Sequence, residues 1–150
     1  MIYTEMTKKA IRLMFDLHKD QTDKSGLPYV FHPWHVAESM DDELSAVVAL
    51  LHDAVEDTDL TIEDVRSAGF PEDVAEALGC MTHDDSVPYM EYVKALAPNA
   101  IARKVKLADL AHNADLARLD APTEKDLARR EKYLQAIAYL EAYQQRTVQW

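Results

Sequence analysis

The stretch Asp42-Glu43-Leu44-Ser45-Ala46-Val47-Val48-Ala49-Leu50-Leu51-His52-Asp53-Ala54-Val55-Glu56-Asp57-Thr58 decides how the rest of the chain is read. Leu44, Val47, Val48, Leu50, Leu51, Ala54 and Val55 recur at three- and four-residue steps. That period predicts a helix capped by Asp41 or Asp42, with an apolar face wide enough to lie at the centre of a core. His52, Asp53, Glu56 and Asp57 interrupt this frame with four ionisable groups. At helical spacing His52 faces Glu56 and Asp53 faces Asp57, so all four crowd one end of the helix. Burying them without partners costs several kcal/mol, and a divalent cation bonded to them removes most of that cost. A capping cluster explains them poorly, because carboxylates at a helix C-terminus oppose its dipole.

Outward from this segment the same period continues. Ile2, Met6, Ala10, Leu13, Met14 and Leu17 form a stripe that predicts a first helix from about Thr4 to Asp20, ended by the loop Lys24-Ser25-Gly26-Leu27-Pro28. A second helix is expected from near His32 to Met40, with Pro33 in its first turn, where a missing N–H costs nothing. Thr61 and Asp64 make a capping box for a short helix that stops at Gly69. Pro71 opens another, which ends near Thr82, and His83-Asp84-Asp85-Ser86 reads as a loop. Further helices are expected over about Tyr89 to Leu96, Ala100 to Leu119 and Thr123 to Arg146. In the last, Leu127, Tyr133, Leu134, Ile137, Leu140 and Tyr143 are core candidates. Only three glycines occur and alternation with period two is scarce, so the fold class is all-α.

A chain of 150 residues matches one domain and buries roughly 70% of its unfolded surface. No segment reaches the roughly 20 apolar residues that span a bilayer, and the opening Met1-Ile2-Tyr3-Thr4-Glu5 lacks the features of a secretory signal. A cytoplasmic location is the expectation. Cys80 is the only cysteine, which leaves no intramolecular disulfide and no cysteine-based zinc site. Sixteen basic against 27 acidic residues give a net charge of -11, which argues against general nucleic-acid binding and against an anionic membrane surface. A small phosphorylated substrate is compatible with that charge when a metal supplies local positive charge.

Two further foci read, each taken alone, as structural groups, Asp109 as a paired carboxylate and His32 as a buried histidine, and gain weight only together with the first. Val105-Lys106-Leu107-Ala108-Asp109-Leu110-Ala111-His112-Asn113 is a polar set in an apolar helical frame, with Asp109 and Asn113 on one face, and His32 follows Pro28-Tyr29-Val30-Phe31 at a helix start. Together, His32, the His52-Asp53 doublet and Asp109 match the H…HD…D pattern of HD-domain phosphohydrolases. More narrowly, the chain resembles the hydrolase domain of the RelA/SpoT family and the small single-domain alarmone hydrolases. Ser25-Gly26, Pro28-Tyr29, His32-Pro33, Leu50 to Asp53, Glu56 to Thr58 and Val105 to Asp109 with His112-Asn113 carry the likeness over roughly residues 10 to 120.

The resemblance implies a single HD domain over residues 1–150, a helical bundle holding one divalent metal, Mn2+ first, on His32, His52, Asp53 and Asp109. A nitrogen and oxygen ligand set suits a first-row ion without separating manganese from iron or zinc. It also implies that Glu56 and Asp57 position or activate the attacking water and that Asn113 helps bind the nucleotide. Lys106, one turn before Asp109, either meets a phosphate oxygen or is a solvated helix lysine. The family's basic residue before Lys-Ser-Gly is here Asp23, its Arg after the metal-binding Asp is Leu110, and its Arg two residues past the Asn is Asp115. Lys24 is the cation left near the first position. Arg118, carried on a helix running to Leu119, falls on the face opposite Asp109. His83-Asp84 is a second HD doublet without the apolar frame of the first; His18 and His35 read as packing or capping histidines, with His35, one turn from His32, alternatively lining the pocket. Trp34, Trp150 and the tyrosines sit at ordinary core or surface spacing.

The function these features predict is metal-dependent hydrolysis of a nucleotide or small phosphorylated compound, resembling guanosine-3′,5′-bis(diphosphate) 3′-pyrophosphohydrolase. Two alternatives are a nucleoside monophosphate phosphohydrolase and a catalytically silent nucleotide sensor, the latter disfavoured by the intact Glu56-Asp57 pair. Alarmone synthesis is not expected from a chain that ends before any second domain.

Overall fold

In the computed structural model, residues 1–148 are described, and Trp150 lies outside them. The order is α1 (Glu5–His18), α2 (Phe31–Glu38), α3 (Glu43–Leu51), α4 (Ala54–Asp57), α5 (Ile62–Ser67), α6 (Glu72–Met81), α7 (Tyr89–Leu96), α8 (Ala100–Asn113), a 3-10 turn (Leu116–Arg118) and α9 (Glu124–Val148). Among the described residues no strand forms; a lone bridge between Thr22 and Pro28 closes the loop after α1. No described helix is long and apolar enough to cross a membrane.

The fold is built around α3. Ala46 through Leu51 are all fully buried, and α1, α2, α6 and α8 pack around them. Truncating Leu50 to Ala there costs roughly 2–5 kcal/mol, because the surrounding helices cannot collapse into the void. The start of α3 is fixed by Asp42, whose carboxylate accepts the Ser45 N–H at 2.8 Å. Thr61 and Asp64 form the expected box, and Thr4 forms one with Thr7. At the end of α5, Gly69 has φ of +93°, a left-handed conformation that a side chain strains. α9 lies across α7 and α8 with Ala136 and Leu140 buried.

Three expectations require correction. The helix through His52 is not continuous to Thr58: α3 ends at Leu51 and a separate turn, α4, begins at Ala54. The His52 ring explains the break, since its Nδ1 lies 2.6 Å from the Ala49 carbonyl and competes for the acceptor that the next helical N–H would use. Consequently Glu56 and Asp57 occupy the first turn of α4, where acidic groups suit the helix dipole. Second, α8 stops at Asn113 instead of running to Leu119. The Asp115 carboxylate accepts the Ala117 N–H at 3.0 Å and starts the 3-10 turn instead. Third, Leu127 is 51% exposed, because the first turn of α9 lies outside the buried stretch that holds Ala136 and Leu140.

Candidate metal centre and pocket

Three helices meet where their polar residues converge. His32, at the start of α2, His52, just past α3, and Asp109, in α8, are each buried to within 4% of complete enclosure. His32 Nε2 lies 2.9 Å from Asp109 Oδ1 and 3.8 Å from Asp53 Oδ2. His52 Nε2 lies 3.1 Å from Asp53 Oδ2 and 3.2 Å from Asp109 Oδ1. One ligand atom from each of these four residues falls within 4.8 Å of all the others.

This geometry has an electrostatic problem. Burial alone would keep the Asp109 carboxyl protonated, but Lys106 and His52 outweigh burial and hold it well below the usual carboxylate range. Asp53 is likewise held near about 2 against burial, chiefly by His52. Burial would neutralise His52, yet Asp53 and Asp109 draw a proton onto it. One buried and one half-buried carboxylate that pull a proton onto an enclosed imidazole make a cage that demands positive charge. The donor set of two imidazole nitrogens and two carboxylate oxygens fits a first-row divalent ion in that role.

The surrounding bonds orient these donors. Asn113 Nδ2 donates to Asp109 Oδ1 at 3.0 Å, and Lys106 Nζ donates to Asp109 Oδ2 at 2.9 Å. Lys106 therefore supports the cage, and its ammonium also faces the Tyr92 ring at 5.4 Å. Tyr29 donates its hydroxyl hydrogen to Asp53; the sequence pattern gives this tyrosine no role of its own, although its place three residues before His32 is a usable signal. Glu56 and Asp57 lie beside the cage on exposed α4 positions. Loss of hydration, and then the Asp53 charge, raise both carboxyls above their ordinary range, although the His83 N–H donated to Glu56 works against the rise. The His83-Asp84 doublet lies outside the four-residue cage. Its histidine ring packs on Tyr92 at 4.7 Å while Nε2 lies 2.6 Å from the Val87 carbonyl. His18 is buried against the Tyr29 ring at 5.1 Å, as a packing histidine should be.

A cavity of about 310 Å³ opens beside His32, with Lys24, Tyr29 and Asn113 in its wall. Its other charged lining is Arg118 and Arg129 against Asp23, Asp115 and Asp126. Arg118 is the main correction here. Because α8 stops at Asn113, Arg118 folds back so that Nη1 donates to the His112 carbonyl at 3.1 Å, and Nη2 lies 3.7 Å from Asp23 Oδ2. Asp23 itself accepts from Ser25 N at 2.9 Å, Ser25 Oγ at 2.7 Å and Leu27 N at 3.0 Å. It organises the loop that presents Lys24. Leu110 is fully buried, so this position faces the core and not the cavity. Arg129, which sequence reasoning missed, reaches the wall from α9 and pairs with Asp126 at 3.3 Å.

No family model matches the chain. Individual proteins do. It is 35% identical over 123 residues to the guanosine-3′,5′-bis(diphosphate) 3′-pyrophosphohydrolase MESH1 of Danio rerio, covering 73% of this chain and 68% of that protein. It is 33% identical to the probable enzyme of the same activity from Synechocystis (83% of this chain, 18% of the relative). To the bifunctional (p)ppGpp synthase/hydrolase SpoT of Escherichia coli K12 it is 33% identical (71% of this chain, 17% of the relative). The chain thus spans under a fifth of those two longer proteins. Among solved structures, a metazoan SpoT ortholog that hydrolyses ppGpp superposes with a TM-score of 0.73 at 27% identity, covering 95% of this chain and 87% of that one. With its all-helical frame and its H…HD…D cage, the chain belongs to the HD-domain family of MESH1- and SpoT-type guanosine-3′,5′-bis(diphosphate) 3′-pyrophosphohydrolases.

Proposed function

We propose that this protein is a metal-dependent hydrolase that removes a phosphate-containing group from a small nucleotide, with a guanosine 3′-pyrophosphate as first substrate class. The observation that supports it most is the convergence of four ligand atoms within 4.8 Å, one of them on His32 in the wall of a cavity of about 310 Å³. His32, His52, Asp53 and Asp109 would hold the ion, with Mn2+ the first candidate and iron or zinc compatible with the same donors. Such an ion, when bound, acts as a Lewis acid on a phosphoryl oxygen and lowers the pKa of water. Glu56, with its raised carboxyl pKa, accepts the proton of the attacking water, and Asp57 holds that water in place. Lys24 and Arg118 meet substrate phosphate from the cavity wall, and Asn113 steadies Asp109 while facing the nucleotide.

A second reading, hydrolysis of a nucleoside monophosphate, is favoured by one feature: the cavity sets Lys24, Arg118 and Arg129 against Asp23, Asp115 and Asp126. A lining balanced in this way suits a substrate with little charge beyond the group at the cage. Phosphate and pyrophosphate release measured over a panel of nucleotides with Mn2+ separates the readings. Turnover of guanosine tetraphosphate above that of guanosine monophosphate supports the first, the reverse order supports the second, and no release from any nucleotide defeats both.

A further inference from the structure

An imidazole that binds a metal through one nitrogen is oriented, and its tautomer set, by what the other nitrogen meets. The two histidines of the cage solve this differently. His52 turns Nδ1 to the Ala49 carbonyl at 2.6 Å, an acceptor with no hydrogen to give. His32 turns Nδ1 to another imidazole, His112 Nδ1, at 2.7 Å. The rings of His32 and His112 are within 10° of parallel with centroids 5.0 Å apart. Face-to-face stacked rings cannot bring two nitrogens within 2.7 Å, so the rings lie nearly in one plane and meet edge to edge through a hydrogen bond.

His112 is itself held. His35 stacks on its face at 4.0 Å and 25°. Its backbone carbonyl accepts from Asp115 N at 3.3 Å, just past the end of α8, and from Arg118. Asp109 lies one turn earlier on the same helix, so α8 carries both a ligand carboxylate and the group that meets the back of the His32 ring.

Resting on the metal-centre reading above, we propose that His112 is a positioning residue: its Nδ1 accepts the His32 Nδ1–H, which fixes the tautomer that leaves His32 Nε2 free to bind metal. If His112 instead donated, His32 Nδ1 would have no hydrogen and Nε2 would carry it toward Asp109, closing that nitrogen to a metal. This role belongs to a residue that touches neither ion nor substrate.

Wild type, two variants of His112 and one of Asp109 test it. His112→Phe keeps a ring for His35 to stack on and removes the acceptor, whereas His112→Asn sets an amide oxygen close to where Nδ1 was. Mn2+ affinity, read from the free-ion paramagnetic resonance signal, should weaken roughly 10–100-fold in His112→Phe, the usual effect of removing a partner of a metal-bound histidine. His112→Asn should recover most of that loss. Wild-type affinity in a folded His112→Phe overturns the positioning role, provided that wild type takes one Mn2+ and Asp109→Ala does not. A wild type that takes up no Mn2+ overturns the metal centre and this role with it. Should His112→Phe not fold, nitrogen resonances of the Zn2+-loaded wild type decide. A hydrogen on His32 Nδ1 coupled to His112 Nδ1 supports the proposal, and an unprotonated Nδ1 on His32 refutes it.

Discussion

The cage and the cavity wall beside it are built on different principles. His32, His52 and Asp109 are 2–4% exposed and come from three helices that pack around the core, so each ligand is held by the same contacts that hold the fold. In the wall, Lys24 and Asp115 are exposed residues. Here side chains hold the loops: Asp23 ties Ser25 and Leu27, Asp115 caps the 3-10 turn, and Arg118 pairs with Asp23. Buried chemistry is thus inherited from packing, whereas the wall is set by local polar bonds that one substitution can rearrange. Mutations in the two regions should differ in kind as well as in size.

The largest effect is expected at the cage. Asp53→Ala or Asp109→Ala should abolish metal binding and all hydrolysis, with elemental analysis of the purified proteins as the check. Full occupancy in either would break the comparison. Chelation of wild type should also lower its Tm, since the ion binds only the folded state.

Next comes Glu56→Gln, expected to keep the metal and lower kcat roughly 10²–10⁴-fold, because the amide cannot take a proton. The pH profile carries the same assignment. A base works only when deprotonated, so kcat/KM should be high above the Glu56 pKa and fall as pH drops through it. Since that pKa is raised, the acid limb should lie above the ordinary glutamate value of about 4.3. A limb unchanged in Glu56→Gln would assign it to another group.

Smaller effects are expected in the wall. Arg118→Ala should raise KM roughly tenfold, the scale of one charge-assisted hydrogen bond to phosphate, and leave Mn2+ affinity unchanged. A shift in kcat or in metal affinity would mean that wall and cage are coupled. Asp23→Arg, attractive from sequence alone, would strip Ser25 and Leu27 of their acceptor. Asp23→Asn is the sharper change: its amide oxygen can still accept from the loop while the charge facing Arg118 is lost. KM for guanosine tetraphosphate should then fall a few-fold, a change of under about 1 kcal/mol, on the scale of a solvent-screened ion pair at 3.7 Å. Steady-state kinetics on that substrate would show it, and an unchanged KM would remove Asp23 from substrate recognition.

The same division governs what could be read from the chain. The apolar period of Leu44 to Leu51 reveals the central helix, and the cost of burying His52 and Asp53 at its end points to a cation, whereas the full set of His32, His52, Asp53 and Asp109 follows from the resemblance to HD-domain phosphohydrolases. The break at His52 was hidden because it depends on a ring competing for the Ala49 carbonyl, a bond that leaves no trace in hydrophobic spacing. Arg118 was misplaced for a similar reason: periodicity carried α8 past Asn113, and only the Asp115 cap turned the chain back. Arg129 stays hidden when α9 is read by its apolar side. Asp23 reads in the sequence as a missing cation, whereas its carboxylate shapes the Lys24 loop.

One feature of the cage bears on lifetime. His32 and His52 are 20 residues apart, and Asp53 and Asp109 are 56 apart, so an ion bound to all four is a cross-link that closes two successive stretches of chain at once. Loop-closure entropy grows only with the logarithm of length, so both closures carry comparable weight. Unfolding would have to release the ion before α2, α3 and α8 could separate. In the loaded protein the cage is therefore also a clasp, with the native-state half-life set by metal release as much as by the core around it.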